Sequence, residues 1–190
     1  MKDTIKRSIE DSIKVKEGLL RGQVENIEKA AAAMISSIKA GGKILIFGNG
    51  GSAADSQHIA AELVGRFKME RKPIAAIALT TNTSIISAIA NDYSYDVVFA
   101  RQVEALGKKG DVAMGISTSG NSKNVLEAIE KAKGLGLETI ALTGCGGGKL
   151  KKAAQINIIV DSDDTPRIQE SHALIGHILC ELIEIEAGTR

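Results

Sequence analysis

The segment Ser117-Thr118-Ser119-Gly120-Asn121-Ser122 places four hydroxyls within six residues. At the exit of a strand and the start of a helix, such a run makes an uncharged phosphate cradle. Hydroxyls and backbone N–H groups donate to phosphate oxygens, and the helix dipole favours the dianion. Ser and Thr are also ordinary helix caps, which accounts for one of the four but not for all of them. A second candidate is Gly48-Asn49-Gly50-Gly51-Ser52-Ala53, whose glycines let backbone N–H groups approach an anion just before another helix start. By letter this run also satisfies the G-x-G-x-x-A dinucleotide signature. That signature needs an acidic residue closing the next strand to hold a ribose, and here the strand ends Ala78-Leu79-Thr80-Thr81-Asn82 without a carboxylate. A tight, ligand-free turn is the bland alternative to anion binding by this loop.

Titratable candidates are few. His58 and Glu62 stand four apart and share one helical face. Alone, such a pair is most often a surface contact, but Glu62 lies less than three turns from Ser52, near the mouth of the expected pocket. Gln169, His172 and His177 interrupt a face otherwise rich in Ile, Leu and Ala. A histidine on such a face is ordinarily a satisfied core residue, and His172 is read that way. Gly144 to Leu150 resembles a nucleotide P-loop only superficially. Thr143 occupies the place of its first glycine, and Leu150 stands where Ser or Thr is required. It reads as a flexible turn. Asp161 to Asp164 reads as a solvated acidic turn, with Pro166 well placed to open the last helix.

These residues need elements to position them. Short apolar runs at Lys43–Phe47, Ile74–Leu79, Val112–Ile116, Thr139–Leu142 and Ile156–Val160 read as strands. Helical periodicity fills Ala53–Phe67, Ser84–Leu106, Asn124–Lys133 and Arg167–Ile185. Near-continuous apolar strands alternating with helices predict an α/β fold with a doubly wound, five-stranded parallel sheet covered on both faces. Two helices lead into it. Ile5, Ile9 and Ile13 stripe the first, Val24, Ile27, Met34, Ile35 and Ile38 the second, and Gly41-Gly42 stops it. Residues 1–190 are read as a single domain, with 1–40 packing on that domain or on a neighbouring subunit. Ligands of such sheets bind outside the carboxyl ends of the strands, which points to the loops after Phe47, Leu79 and Ile116.

Composition narrows the function. Lys+Arg is 24 against Asp+Glu 23, so neither sign is in excess to attract nucleic acid or an acidic membrane. Aromatic residues are 3% with no Trp, which removes the stacking surface of a single-strand binder. No apolar run approaches the length of a membrane span, and Met1-Lys2-Asp3-Thr4-Ile5-Lys6-Arg7 leads into a charged amphipathic stretch, not a signal core. Cys145 and Cys180 lack a C-x-x-C spacing and read as reduced thiols of a cytoplasmic protein.

Taken together, Phe47-Gly48-Asn49-Gly50-Gly51-Ser52, His58-Ile59-Ala60-Ala61-Glu62-Leu63, Gly65-Arg66-Phe67, Ala90-Asn91-Asp92, the serine loop, Arg167-Ile168-Gln169-Glu170 and His177-Ile178-Leu179 resemble the phosphoheptose isomerases of the sugar isomerase (SIS) superfamily. The resemblance covers essentially the whole chain. It implies isomerisation of sedoheptulose 7-phosphate to D-glycero-D-manno-heptose 7-phosphate, the first step toward activated heptose for bacterial surface polysaccharides. It also implies a homotetramer with interfacial active sites and, in many members, bound zinc. Carried onto this sequence, Glu62 and His177 match the acid/base pair. Asn49, Gly50, Gly51, Asn91, Asp92, Ser117, Thr118, Ser119, Ser122, Glu62 and Gln169 match substrate-binding positions, with Ser52 beside them. His58, Glu62, Gln169 and His177 match the zinc ligands.

Ketose–aldose conversion passes through an enediol and needs one group at carbon and one at oxygen, each contributing about 10²–10⁴ in rate. Gln169 and His177 are eight positions apart, so on one straight helix they are separated by about 12 Å. That separation leads us to expect a neighbouring subunit in the pocket. Two rivals remain at this stage. One is a non-catalytic SIS tetramer that binds the bacterial replication initiator, a class that lacks the acid/base pair. The other is a sugar-phosphate-sensing regulator, for whose DNA-binding module the leading residues leave little room.

Overall fold

Strand β1 (Ile44–Gly48) alternates its side chains, Ile44 and Ile46 to one face and Leu45 and Phe47 to the other, and all are buried. Both faces must therefore be covered. Its neighbours are β2 (Ala76–Ala78) and β3 (Val112–Ser117), followed outward by β4 (Glu138–Thr143) and β5 (Ile156–Ile159). Every pairing is parallel and the order is β2-β1-β3-β4-β5. The chain reverses direction across the sheet between β1 and β3, so the loops leaving those two strands diverge and open a crevice. The computed structural model describes residues 1–188.

One face is covered by α1 (Lys2–Gly22), α2 (Val24–Lys39), α3 (Gly51–Val64) and α8 (Thr165–Gly188). The other is covered by α4 (Thr83–Asp92), α5 (Val98–Leu106), α6 (Lys123–Gly134) and the short α7 (Leu150–Ala153). The five-stranded parallel sheet and the two leading helices are as the apolar pattern requires. One expectation fails: Ser84–Leu106 is not a single helix. After Asp92 the backbone leaves helical geometry at Tyr93, and Ser94 is extended, its hydroxyl accepting from the Asp96 N–H. This local side-chain bond competes with the helical ladder and starts a 3₁₀ turn at Tyr95–Val97 before α5. The Gly144–Leu150 turn likewise carries a 3₁₀ turn at Cys145–Gly147 and gives way to α7.

α3 and α8 lie side by side and run in the same direction, in a register that barely drifts. Residue 169 meets 51, 176 meets 59, 177 meets 58 and 184 meets 67, offsets of 117–119 throughout. Gly176 makes the approach possible, because a Cβ there would stand 2.8 Å from the Ile59 side chain. The apolar stripe of α1 is not covered at its start: Ile5, Ile9 and Ile13 are 59%, 56% and 54% exposed, while Leu19 is buried.

Candidate active site

The glycine loop leaves β1 and the serine loop leaves β3, and Gly48 is the register partner of Ile116. The sheet thus delivers Asn49, Gly50, Gly51 and Ser52 beside Ser117, Thr118, Ser119 and Ser122. Two helices, α3 and α6, begin at these loops, and their free N–H groups add partial positive charge where an anion would sit. Ser122 occupies the N-cap position of α6 but makes no side-chain cap bond. Its Oγ lies 2.9 Å from Ser117 Oγ instead. Ser119 Oγ accepts from the Asn121 N–H at 3.2 Å. Capping therefore does not explain the serines.

Asn49 is locked by a reciprocal pair of 2.9 Å hydrogen bonds with buried Asn124, and Tyr95 Oη donates to Asn49 Oδ1 at 3.2 Å. Sequence reasoning passed over both partners. The available signals were an asparagine in the first turn of a helix and one of only two tyrosines in the chain. Asn91 and Asp92 close α4, are exposed and hydrogen-bond to each other at 2.9 Å. Tyr95, which bonds to the glycine loop, follows Asp92 by three residues.

Gln169 packs on the start of α3. A Cβ on Gly51 would stand 2.1 Å from its Nε2, so glycine is what lets the amide reach the loop. Further along the same helices, His58 Nε2 lies 3.2 Å from Glu62 Oε1 and 3.0 Å from His177 Nε2. The three donor atoms all fall within 4.8 Å of one another. The acidic and imidazole groups, 115 positions apart in sequence, therefore face the same small space. The Phe67 ring packs at 5.6 Å from the His177 ring on the other side. Gln169 stands two helical turns before His177, outside this cluster.

The donors suit a metal. Ligands about 2.0–2.1 Å from a tetrahedral zinc stand roughly 3.3 Å apart, and two imidazoles with a carboxylate are borderline donors of the kind zinc prefers. Asp55, one turn before His58, has a carboxyl raised by burial, with the charge of His58 opposing. Burial, and then Glu62, push the Cys180 thiol up to about 12, which leaves it an inert thiol. Cys145 is free and exposed.

His172 is fully buried, as its apolar surroundings suggest, beside Thr143 at the end of β4. Burial pushes its pKa down to about 4 against a smaller opposing pull from the Thr143 backbone, so the ring is neutral at pH 7. A separate groove of about 910 Å³ between α5 and α6 is lined by Arg101, Glu104, Glu127 and Lys131, and none of the expected site residues reaches it.

The SIS domain family matches residues 9–144. Phosphoheptose isomerase from Clostridium acetobutylicum is 53% identical over 188 residues, 98% of this chain and 96% of that protein. The chain belongs to the phosphoheptose isomerase family of SIS-domain proteins. The Helicobacter pylori enzyme of that name is 61% identical over 160 residues, 84% of this chain and 83% of its own length. The solved phosphoheptose isomerase from Neisseria gonorrhoeae superposes with a TM-score of 0.92 at 44% identity, covering 97% of this chain and 98% of that one. Both family and fold agree with the resemblance carried by the loops. Among the described residues no helix is long and apolar enough to cross a membrane.

Proposed function

We propose that this chain interconverts sedoheptulose 7-phosphate and D-glycero-D-manno-heptose 7-phosphate through an enediol, in the cytoplasm, at the start of activated-heptose synthesis. One observation carries the reading: Glu62 of α3 and His177 of α8 face one space, further along the same α3 whose leading end opens on the glycine loop. His58 lies seven residues past Gly51, about 10 Å of helix rise. That spacing suits a substrate whose phosphate and carbonyl sit at opposite ends of a carbon chain.

In this reading the phosphate is held by Ser117, Thr118, Ser119 and Ser122, by the N–H groups of Gly50 and Gly51, and by Ser52 behind them. Asn49, Asn91, Asp92 and Gln169 orient the sugar hydroxyls. Glu62 takes the proton from C1 and returns it to C2, while His177 moves the proton between O1 and O2. One Glu62 oxygen is engaged by His58, which leaves the other for carbon. Shielding from water protects the enediol from side reactions. His58, Glu62 and His177 would hold a zinc ion, with Gln169 as fourth ligand. Bound zinc supplies Lewis-acid stabilisation of the developing enediolate.

Gln169 sits against its own chain's Gly51, so a fourth ligand comes most naturally from the Gln169 of a second copy. The uncovered Ile5, Ile9 and Ile13 stripe supports assembly into a homotetramer with shared sites. The relatives reported above carry the name phosphoheptose isomerase, which favours the enzyme over the initiator-binding reading. The test is incubation with sedoheptulose 7-phosphate followed by NMR. Appearance of the heptose aldose supports the proposal, and an unchanged ketose under zinc-replete conditions overturns it.

A further inference from the structure

The segment between α3 and β2 is tied down by two charges that the chemistry above does not use. Glu184 of α8 accepts from the Phe67 N–H at 2.9 Å through Oε1, and from the Lys68 and Met69 N–H groups at 2.6 and 2.9 Å through Oε2. Arg71 Nε lies 3.1 Å from Glu184 Oε1, and both side chains are 2% exposed. The guanidinium then spreads over the end of α3. Nη1 donates to the Leu63, Gly65 and Lys72 carbonyls at 2.8, 3.3 and 3.1 Å, and Nη2 donates to the Glu62 carbonyl at 2.8 Å.

A buried ion pair gains little net stability over apolar packing of the same volume, because both charges lose their water. What this pair does supply is geometry, and it does so at the reacting groups. Arg71 grips the backbone of Glu62 itself. Glu184 lies seven residues, two turns, beyond His177 on the same helix, and it holds the backbone of Phe67, whose ring packs 5.6 Å from the His177 ring. The orphan carbonyls that end α3 are satisfied by the same guanidinium that is anchored to α8.

We infer that Arg71 and Glu184 are positioning residues: a clasp that fixes α3 against α8 and so sets the distance from Glu62 and His58 to His177. This rests on the isomerase reading for its kinetic consequence, but not for its structural one. The phosphate cradle lies at the other end of the helix pair and is outside the clasp's reach.

The experiment uses the full chain with Glu184→Gln, whose amide NH₂ would face backbone donors that now meet a carboxylate. Three quantities are read: kcat and KM for sedoheptulose 7-phosphate, Zn²⁺ affinity by competition with a chromophoric chelator, and the His177 ring resonances by ¹⁵N NMR. The expected result is a kcat at least tenfold lower with KM within threefold, Zn²⁺ affinity about tenfold weaker, and shifted His177 resonances, with Glu184→Asp recovering part of each. A folded variant whose kcat and Zn²⁺ affinity stay within twofold of the parent overturns the inference. So does one in which KM rises as much as kcat falls. Should Glu184→Gln fail to fold, Arg71→Lys, which keeps the charge but cannot span the Glu62, Leu63 and Gly65 carbonyls, is expected to shift the His177 resonances and lower kcat about threefold, and unchanged resonances refute the clasp. If the parent chain does not turn the sugar over, the isomerase reading fails, while Zn²⁺ affinity and the NMR signals still decide the clasp.

Discussion

The two ends of the α3–α8 pair are built by different means. At the leading end, the cradle consists of backbone N–H groups, hydroxyls and an amide, none of which changes charge near neutral pH. Its shape comes from local turns and from one absent side chain at Gly51. Further along, the His58, Glu62 and His177 centre has titratable groups and no local logic. It exists only because two helices keep a nearly constant offset along their length. In the proposed reaction one end grips and the other moves protons, so damage at each should register in different kinetic constants.

The largest separation is expected from Glu62→Gln, which keeps the shape and removes the base. Loss of a group that acts at carbon costs about 10²–10⁴ in kcat, with KM changed little. Steady-state kinetics on the zinc-loaded protein checks this, and turnover within threefold of the parent would remove Glu62 from its role.

Between the two ends stands His172, one turn after Gln169 and five residues before His177. Its pKa in the folded chain is depressed to about 4 from 6.5, chiefly by burial. The unfolded chain therefore binds more protons than the folded one between these values, and stability must fall as pH is lowered through that window. From pH 7 to pH 5 the loss from this group is about 2 kcal/mol, roughly a thirtyfold shift in the folding equilibrium. Urea denaturation at the two pH values reads it. A His172→Gln variant should lose most of that dependence, and an equally steep variant would place the acid sensitivity elsewhere.

How much of this was legible beforehand follows the same division. The strands, the parallel sheet and both loops were readable because apolar runs ending in glycine or serine are local signals. The break at Tyr93-Ser94 was not, because no Pro or Gly marks it and a single serine hydroxyl redirects the chain. The histidines and Glu62 could be named as candidates, and the family resemblance paired them, but spacing alone could not. His172 was readable as buried, but not its neighbour Thr143, which is 29 positions away. Arg71 and Glu184 left no trace: each is one charge among many until folding buries them together.

A gentler break at the gripping end is Gly51→Ala. The new Cβ collides with the flexible end of Gln169, not with backbone, so the amide swings away and the fold is kept. Alanine also suits a helix start better than glycine does. The melting temperature should hold or rise slightly while kcat/KM falls about tenfold, carried by KM. A fall in kcat alone would mean that Gln169 serves the proton-transfer end and that the two regions are less separate than drawn here.

The smallest effect is the sharpest test of the serine loop. If Ser122 were a helix cap, removing its hydroxyl would cost about 1 kcal/mol of stability and leave binding alone. In this structure the hydroxyl bonds to Ser117 Oγ and caps nothing. Ser122→Ala should therefore leave the urea midpoint nearly unchanged. The loss should appear in KM, a few-fold higher, because the cradle loses one donor and Ser117 loses the partner that aims its own hydroxyl. Competition by inorganic phosphate should weaken in parallel, since the anion alone probes the loop without the sugar. A lowered urea midpoint with KM and phosphate inhibition unaltered would return the serine to the role of a cap.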